Sequence, residues 1–187
     1  SRTESGIEQR VHPTMVPKSS AIARIDGVLN AVAVDADAVG EIVLVGPGAG
    51  GEATASSVIG DLADVAAGRS LPTFGRPAAR LSPYKPARMR RHAGGYYVRL
   101  MVRDRPGAFA TVAARMAEHG ISLESIVQRR RAPRADAPGA MEPSDAQPAI
   151  LITYETTEQA IRDALAAIAA EAVVAGTPRM IRIEKLA

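Results

Sequence analysis

The stretch Val43-Leu-Val-Gly-Pro-Gly-Ala-Gly-Gly-Glu-Ala-Thr-Ala-Ser-Ser57 joins an apolar run to a glycine-rich turn and then to a helical pattern. The run Ile42 to Val45 predicts a buried strand. The helix is predicted to begin near Thr54 and to end at Gly68, a residue type that commonly follows a helix C-terminus. Its apolar positions repeat at helical spacing on one face: Val58, Leu62, Val65 and Ala66.

A glycine-rich turn before a helix has two interpretations. Glycines permit positive φ and a close backbone approach, and the helix start offers unpaired N–H groups and the positive end of a dipole. That chemistry suits a phosphate or a polar cofactor edge, but the same pattern also forms tight turns that bind nothing. The spacing is neither the G-x-G-x-x-G dinucleotide fingerprint nor a P-loop.

The composition is that of an ordinary globular chain. Of 187 residues, 47% are hydrophobic and 23% charged, with two Phe, four Tyr, no Trp and no Cys. Disulfides and thiolate chemistry are therefore excluded. No apolar run approaches the roughly 20 residues that span a bilayer, and no signal peptide is present, so we expect a cytoplasmic protein with no membrane partner. The opening Ser1-Arg-Thr-Glu4, without Met, predicts that the sequence is cut from a longer protein.

The net charge of +3 is concentrated in one segment. Residues 69–95 contain seven Lys or Arg and no Asp or Glu, which leaves a net charge of −4 on the rest of the chain. Four prolines and a final Gly94-Gly95 are typical of an extended linker. Its run Arg88–His92 could contact phosphate, but a solvated linker is the better interpretation, and we expect no nucleic-acid partner.

Residues 7–45 contain short strand patterns. Val28–Val34 and Ala38–Val45 are β-rich and separated by Asp35-Ala-Asp37, which predicts a hairpin. Lys18–Ile25 could form a helical turn.

Earlier in the chain, Arg10–Pro17 has proline near both ends, and Pro13 indicates a sheet edge or a strand end. His12, beside this proline, fits a structural role better than a catalytic one. No cluster of Cys, His, Asp and Glu predicts a metal site.

From Tyr96 onward the pattern changes to that of a second folding unit with the order βαββαβ, the ferredoxin-like arrangement. The predicted strands are Tyr96–Arg103, Ile121–Val127, Ala149–Tyr154 and Met180–Ile183. One helix is predicted between Phe109 and Gly120, and a second follows the capping-box candidate Thr156-Thr-Glu-Gln159. Between the second and third strands, Arg129–Pro148 is rich in Arg and Pro and predicts a mobile, solvated extension, although its arginines could bind an anion.

The second unit resembles an ACT domain, a small amino-acid-sensing module. The resemblance rests on Asp104-Arg-Pro-Gly107 after the first strand and on Ile121-Ser-Leu-Glu-Ser-Ile-Val-Gln128, and it covers residues 96–187. ACT domains pair through their sheets or helices and bind effectors at the interface, so the resemblance implies a homo-oligomer, dimer or tetramer, with a small-molecule effector.

The first unit is similar to the C-terminal part of the catalytic domain of homoserine dehydrogenase, whose bacterial members end in an ACT domain. The matching motifs are Gly6-Ile7, Arg10-Val-His-Pro-Thr14, Asn30-Ala-Val32, Gly46-Pro-Gly-Ala-Gly50, Thr54-Ala55 and Asp61-Leu62. Ala53 departs from the proline that is usual in the family, which loosens the helix start. The implied fold class is α+β: a remnant of a mixed-sheet α/β catalytic domain (residues 1–68), a basic linker (69–95) and a ferredoxin-like ACT domain (96–187).

The resemblance implies an NAD(P)-dependent oxidoreductase that interconverts L-homoserine and L-aspartate 4-semialdehyde in threonine, isoleucine and methionine synthesis. The family's Rossmann domain and its catalytic lysine and acidic residues have no counterpart here, so we expect no catalytic residue in this chain. We also expect no activity and no bound NADP or NAD in the fragment alone. The alternative is a free-standing amino-acid-binding ACT module without catalysis.

Two sets of site residues follow. In the family the last glycine of the turn lies at the nicotinamide cofactor, which implies this role for Gly50, with Gly48 beside it. For the effector, which we expect to be threonine, the proposed contacts are Asp104, Gly107, Ala108, Ser122 and Gln128. A helix N-terminus at Ala108 suits a carboxylate, and Asp104 either caps this helix or takes the ammonium group. Ser122 and Gln128, expected on a neighbouring strand, could bind a hydroxyl; Gln128 matches an effector-contacting position of some ACT domains. An empty site, with Asp104 only capping its helix, is the alternative.

Overall fold

The computed structural model describes residues 2–3, 6–7, 9–69, 72, 75–83, 86, 93–128 and 146–184. They divide into two compact units. The ferredoxin-like unit combines Ser1–Met15 with Pro86–Lys185, and the hairpin–helix unit consists mainly of Val16–Lys85.

The ferredoxin-like unit begins with three two-residue strands: β1 (Arg2–Thr3), β2 (Gly6–Ile7) and β3 (Thr14–Met15). The first two pair with each other, and β3 joins the main sheet.

The hairpin–helix unit contains β4 (Leu29–Ala36), β5 (Gly40–Pro47) and α1 (Gly51–Ala66), with short 3-10 turns at Ala21–Arg24 and Ala78–Arg80. The two strands pair antiparallel from Leu29↔Pro47 to Ala36↔Gly40, which confirms the predicted hairpin.

Helix α1 begins at Gly51, three residues before the predicted start at Thr54. Both predicted glycine terminations are confirmed, because Gly68 and Gly120 follow their helices with φ of 66° and 68°.

No described residue of this unit is buried, and the strand predicted to be buried at Ile42–Val45 is exposed at three of its four residues and partly exposed at Val43. The apolar face predicted for α1 is exposed as well: Val58, Leu62 and Val65 have relative exposures of 53%, 62% and 75%. Periodicity places these side chains on one face, but only a packing partner can bury that face.

The remaining elements of the ferredoxin-like unit follow the order βαββαβ: β6 (Ala93–Arg103), α2 (Ala108–Glu118), β7 (Leu123–Gln128), β8 (Ala146–Thr153), the short β9 (Thr156–Thr157), α3 (Glu158–Ala169) and β10 (Arg179–Ile183). The sheet order is β3-β10-β6-β8-β7, antiparallel except for the parallel pair of β3 and β10. The predicted α+β fold class is confirmed.

The described core lies between this sheet and the two helices. Inward-facing residues of β6 alternate with exposed or partly exposed ones, as expected for a strand with one covered face. The helices contribute apolar positions one turn apart. The largest fully buried side chains include Tyr96, Val98, Leu100, Val102, Val112, Met116, Leu151, Ile161 and Ile168.

Three predicted boundaries were wrong for local reasons. Strand β6 starts at Ala93 rather than at Tyr96, because Ala93 and Gly94 pair with β9. That pairing also takes Thr156 into a strand, so the cap of α3 is Thr157, whose hydroxyl accepts a hydrogen bond from the Ala160 N–H at 3.2 Å. Strand β8 begins at Ala146, inside the predicted extension; the rest of that prediction, residues 129–145, lies outside the described residues.

Candidate functional site

The glycine-rich turn connects β5 to α1. Gly50 is the N-cap of α1 at φ 114°, a conformation that residues with a Cβ rarely adopt. Thr54 donates hydrogen bonds to the Gly50 carbonyl from its amide, at 3.1 Å, and from its hydroxyl, at 2.9 Å. No side chain caps this helix, so its first-turn N–H groups have the arrangement that a polar ligand edge requires.

The two glycines predicted to contact cofactor differ in their surroundings. A Cβ on Gly50 would meet nothing within 4 Å, whereas one on Gly48 would overlap the side-chain amide of Asn30. Within this chain, the requirement for glycine at position 50 is therefore its positive φ. The close approach occurs at Gly48, against a residue of the facing strand.

The second candidate turn follows β6. Gly107, in the left-handed conformation at φ 84°, is the N-cap of α2 and provides no side-chain cap. The N-cap position of α2 is therefore occupied by Gly107 and not by Asp104. The Ala108 N–H donates to the Arg105 carbonyl at 3.2 Å, so this N–H is already engaged, and Ala108 itself is buried. A ligand carboxylate at this turn would have to be met by the N–H groups that follow.

Ser122 and Gln128 were predicted on a strand beside the turn, and the topology corrects this. Strand β8 lies between β6 and β7, so Gln128 is two strand spacings, about 10 Å, from β6. Gln128 pairs with Ala149, which pairs with Leu100, so Gln128 is level with the body of β6 and four residues short of Asp104 along that strand. Ser122 lies at the opposite end of the sheet from Asp104, where its carbonyl accepts a hydrogen bond from the Tyr154 N–H at 3.0 Å. One turn cannot contain both residues.

A partly buried charged cluster at the start of α3 was not predicted. Arg10 Nη1 donates to Glu158 Oε2 at 2.8 Å, and the two side chains are only 13% and 14% exposed. The other carboxylate oxygen accepts two hydrogen bonds from Arg162, at 2.9 and 2.7 Å. Burial raises the pKa of Glu158, but the hydrogen bonds from Arg162 and Arg10 outweigh it, and the pKa lies below its ordinary value.

Arg182 and Tyr96 extend this cluster. Arg182 is 5% exposed, forms an ion pair with Glu184, and places its guanidinium carbon 5.9 Å from the centre of the Tyr96 ring. Burial, followed by the charge of Glu158, raises the pKa of Tyr96 to about 12. Arg182 Nη1 and the Tyr96 hydroxyl are buried and have no hydrogen-bond partner among the described residues. Strand alternation from Met180 could have predicted the inward position of Arg182.

No group of residues suited to metal binding occurs in the described part of the chain. His12 has its Nδ1 atom 2.7 Å from the hydroxyl of Thr14, a local contact of the exposed segment before β3. The basic run predicted at Arg88–His92 lies outside the described residues. Within the described residues, no helix is both long and apolar enough to cross a membrane.

The ferredoxin-like fold is that of a small regulatory domain, and residues 96–142 match the family model of the ACT domain. Residues 2–63 match the model of homoserine dehydrogenase. Both resemblances read from the sequence motifs are thereby confirmed, in the predicted order along the chain.

Curated relatives and a solved structure carry the same name. Homoserine dehydrogenase from Pseudomonas aeruginosa is 40% identical over 191 residues, and that from Neisseria gonorrhoeae is 35% identical; each alignment covers 99% of this chain and 42% of the relative. The crystal structure of a homoserine dehydrogenase from Thiobacillus denitrificans superposes with a TM-score of 0.79 at 36% identity, covering 98% of this chain and 40% of that one. The chain is thus similar to homoserine dehydrogenases, which are oxidoreductases, and spans less than half of their length.

Proposed function

We propose that this chain is the C-terminal portion of a homoserine dehydrogenase, which interconverts L-homoserine and L-aspartate 4-semialdehyde with NAD or NADP. The observation that carries the proposal is the similarity over 98% of the chain to the Thiobacillus denitrificans enzyme. The domains of the proposal are 1–68, 69–95 and 96–187, and its setting is threonine, isoleucine and methionine synthesis in the cytoplasm. The sequence immediately upstream of Ser1 tests it: a dinucleotide-binding strand-loop-helix supports the enzyme, and its absence supports a free-standing ACT module.

The glycine-rich turn is proposed to meet the nicotinamide cofactor through Gly50, with Gly48 beside it. The support is the uncapped start of α1 and the open space around a Cβ at Gly50. In the full-length enzyme, Gly50→Val should raise the KM for the cofactor, because the side chain would occupy the approach to the helix start. Gly27→Val is the matched control, since Gly27 also has a positive φ, 67°, and open surroundings. An equal effect of both substitutions, or an unchanged KM, would refute the role.

The ACT domain is proposed to sense threonine at the turn Asp104–Ala108, together with Gln128. The support is the left-handed Gly107 at the helix start, which lets a ligand approach the first-turn N–H groups. Because Gln128 is about 10 Å from β6, we propose that it completes the site across a subunit interface rather than within one turn.

Calorimetry of this chain with threonine is the direct test, with serine, isoleucine and methionine as comparisons. We expect heat for threonine and its loss in Gly107→Val. Gly120→Val is the matched control, because Gly120 also has a positive φ and lies at the other end of α2. No heat and no shift of Tm at millimolar threonine would make the domain an assembly module instead.

We also propose that this chain self-associates to form at least a homodimer. ACT domains and the family's catalytic region both assemble through their sheets, and the hairpin–helix unit exposes large apolar side chains on both strands and on α1. Light scattering at micromolar concentration should give a mass of at least twice 19.5 kDa, and a monomer mass would contradict it.

A further inference from the structure

The segment Arg10–Met15 belongs by sequence to the region that matches homoserine dehydrogenase, yet it forms part of the ferredoxin-like unit. Strand β3 pairs parallel with β10, with Arg182 opposite Thr14 and Ile183 opposite Met15. The Glu184 N–H donates to the Met15 carbonyl at 3.0 Å, which continues this ladder beyond the strand. The sheet of the ferredoxin-like unit therefore has a fifth strand, β3, that comes from the region matching homoserine dehydrogenase.

The same segment has a second attachment on a different element. Arg10 reaches Glu158, the first residue of α3, across 148 positions of sequence. Glu158 lies in the first turn of α3, where a carboxylate is favoured by the helix dipole. Because the pair is mostly shielded from water, its hydrogen bond contributes more than that of an exposed surface pair.

We infer that Arg10–Met15 is a coupling segment, held at one end by α3 and at the other by β10, which docks or undocks with the relative position of these two elements. A movement of α3 against the sheet changes the distance between the two attachments, and a hydrogen bond of 2.8 Å tolerates little extension. The segment continues directly into Val16, the first residue of the hairpin–helix unit. Its regulatory use rests on the proposed sensing role, whereas the coupling itself does not.

Hydrogen exchange followed by NMR tests the coupling in the 187-residue chain without any ligand. Glu158→Gln removes the charge that holds Arg10, and we expect the exchange rate of the Glu184 amide to rise about tenfold, as for the loss of one charged hydrogen bond. Asp163→Asn is the charge-matched control on the same helix, since the Asp163 carboxylate accepts hydrogen bonds from Gln159, one turn away, at 2.7 and 2.8 Å. The control should leave Glu184 unchanged.

Reciprocity provides the second measurement. If α3 holds the segment, then the segment holds α3, so Arg10→Met should raise exchange in the first turn of α3. The double variant Arg10→Met with Glu158→Gln should then differ little from either single variant. The amide of Leu100 in the core should keep its protection in every variant, which shows that the fold is intact.

Unchanged Glu184 exchange in Glu158→Gln, or an equal rise in Asp163→Asn, would overturn the inference. Additive effects in the double variant would overturn it as well. This experiment contains no threonine, so a negative result would not bear on the proposed effector. Conversely, a failure of threonine to bind would not contradict the coupling.

Discussion

The location of the core is tested by one substitution made at two leucines. Leu100 is 1% exposed in the middle strand β6, where β10 and β8 flank it and the helices cover it. Leu62 is 62% exposed on α1. Leu→Ala removes the same three carbon groups at both sites, from a buried environment at Leu100 and from an exposed one at Leu62.

At Leu100 the expected cost is about 3 kcal/mol of unfolding free energy. Removal of three buried carbon groups loses about 2.4 kcal/mol of transfer energy at ~0.8 kcal/mol per group, and the cavity adds to this. At Leu62 the expected change is within about 0.5 kcal/mol, because most of the side chain is already in water.

Urea unfolding followed by far-ultraviolet circular dichroism measures both variants. With a slope of about 1–3 kcal/mol per molar urea, the Leu100 variant should lose at least about 1 M of its midpoint. Tyrosine fluorescence separates the units, since three of the four tyrosines lie in residues 93–154. A cost below about 1 kcal/mol at Leu100 would refute the core assignment. An equal cost at Leu62 would show that the exposed face of α1 is covered in solution, and dependence on protein concentration would identify a second copy as the cover.

Three further outcomes are expected. Thr157→Ala should cost about 1 kcal/mol in urea unfolding because Thr157 caps α3, and Thr156→Ala should cost less; the reverse order would restore the predicted capping box. Gly48→Ala should displace the Asn30 amide, with a change in its side-chain NH₂ resonances, since the new Cβ would overlap it. Unchanged resonances would contradict that contact. Tyr96 should ionise near pH 12 in an ultraviolet titration, and Tyr96→Phe should remove that step. Because the native state holds this proton more tightly than the unfolded chain, stability should fall as pH rises from about 10 to about 12. A titration that Tyr96→Phe leaves unchanged near pH 12 would contradict the burial.

The charged cluster around Glu158 also makes the stability of the folded state depend on pH in the acidic range. The pKa of Glu158 is lowered in the folded state, so its contribution is present above the ordinary glutamate pKa and is lost as pH falls through the lowered value. Glu158→Gln should therefore flatten the acid limb of a stability profile, measured as Tm against pH. An unchanged acid limb would show that the pair with Arg10 contributes nothing in solution.

Local pattern was enough to predict the ferredoxin-like order of elements, the hairpin and the ends of two helices. Alternation along Tyr96–Arg103 and helical spacing around Val112 and Met116 are short-range signals, since side-chain direction follows from backbone geometry over a few residues. Glycine termination at Gly68 and Gly120 is equally local, because it depends on one backbone conformation. The resemblance to the two families rested on such short motifs and was confirmed.

Only the tertiary structure could decide which distant residues meet. Strand β3 has two residues and no period to detect, and the Arg10–Glu158 pair joins positions 148 apart. The site residues show the same limit: Ser122 was placed beside Asp104 on strand sequence alone, but β8 inserts between β6 and β7 and puts Ser122 at the far end of the sheet. Strand order and burial are properties of the whole packed sheet. Short-range sequence patterns determine the helices and strands. The long-range pairing between these elements determines which of their residues share a site.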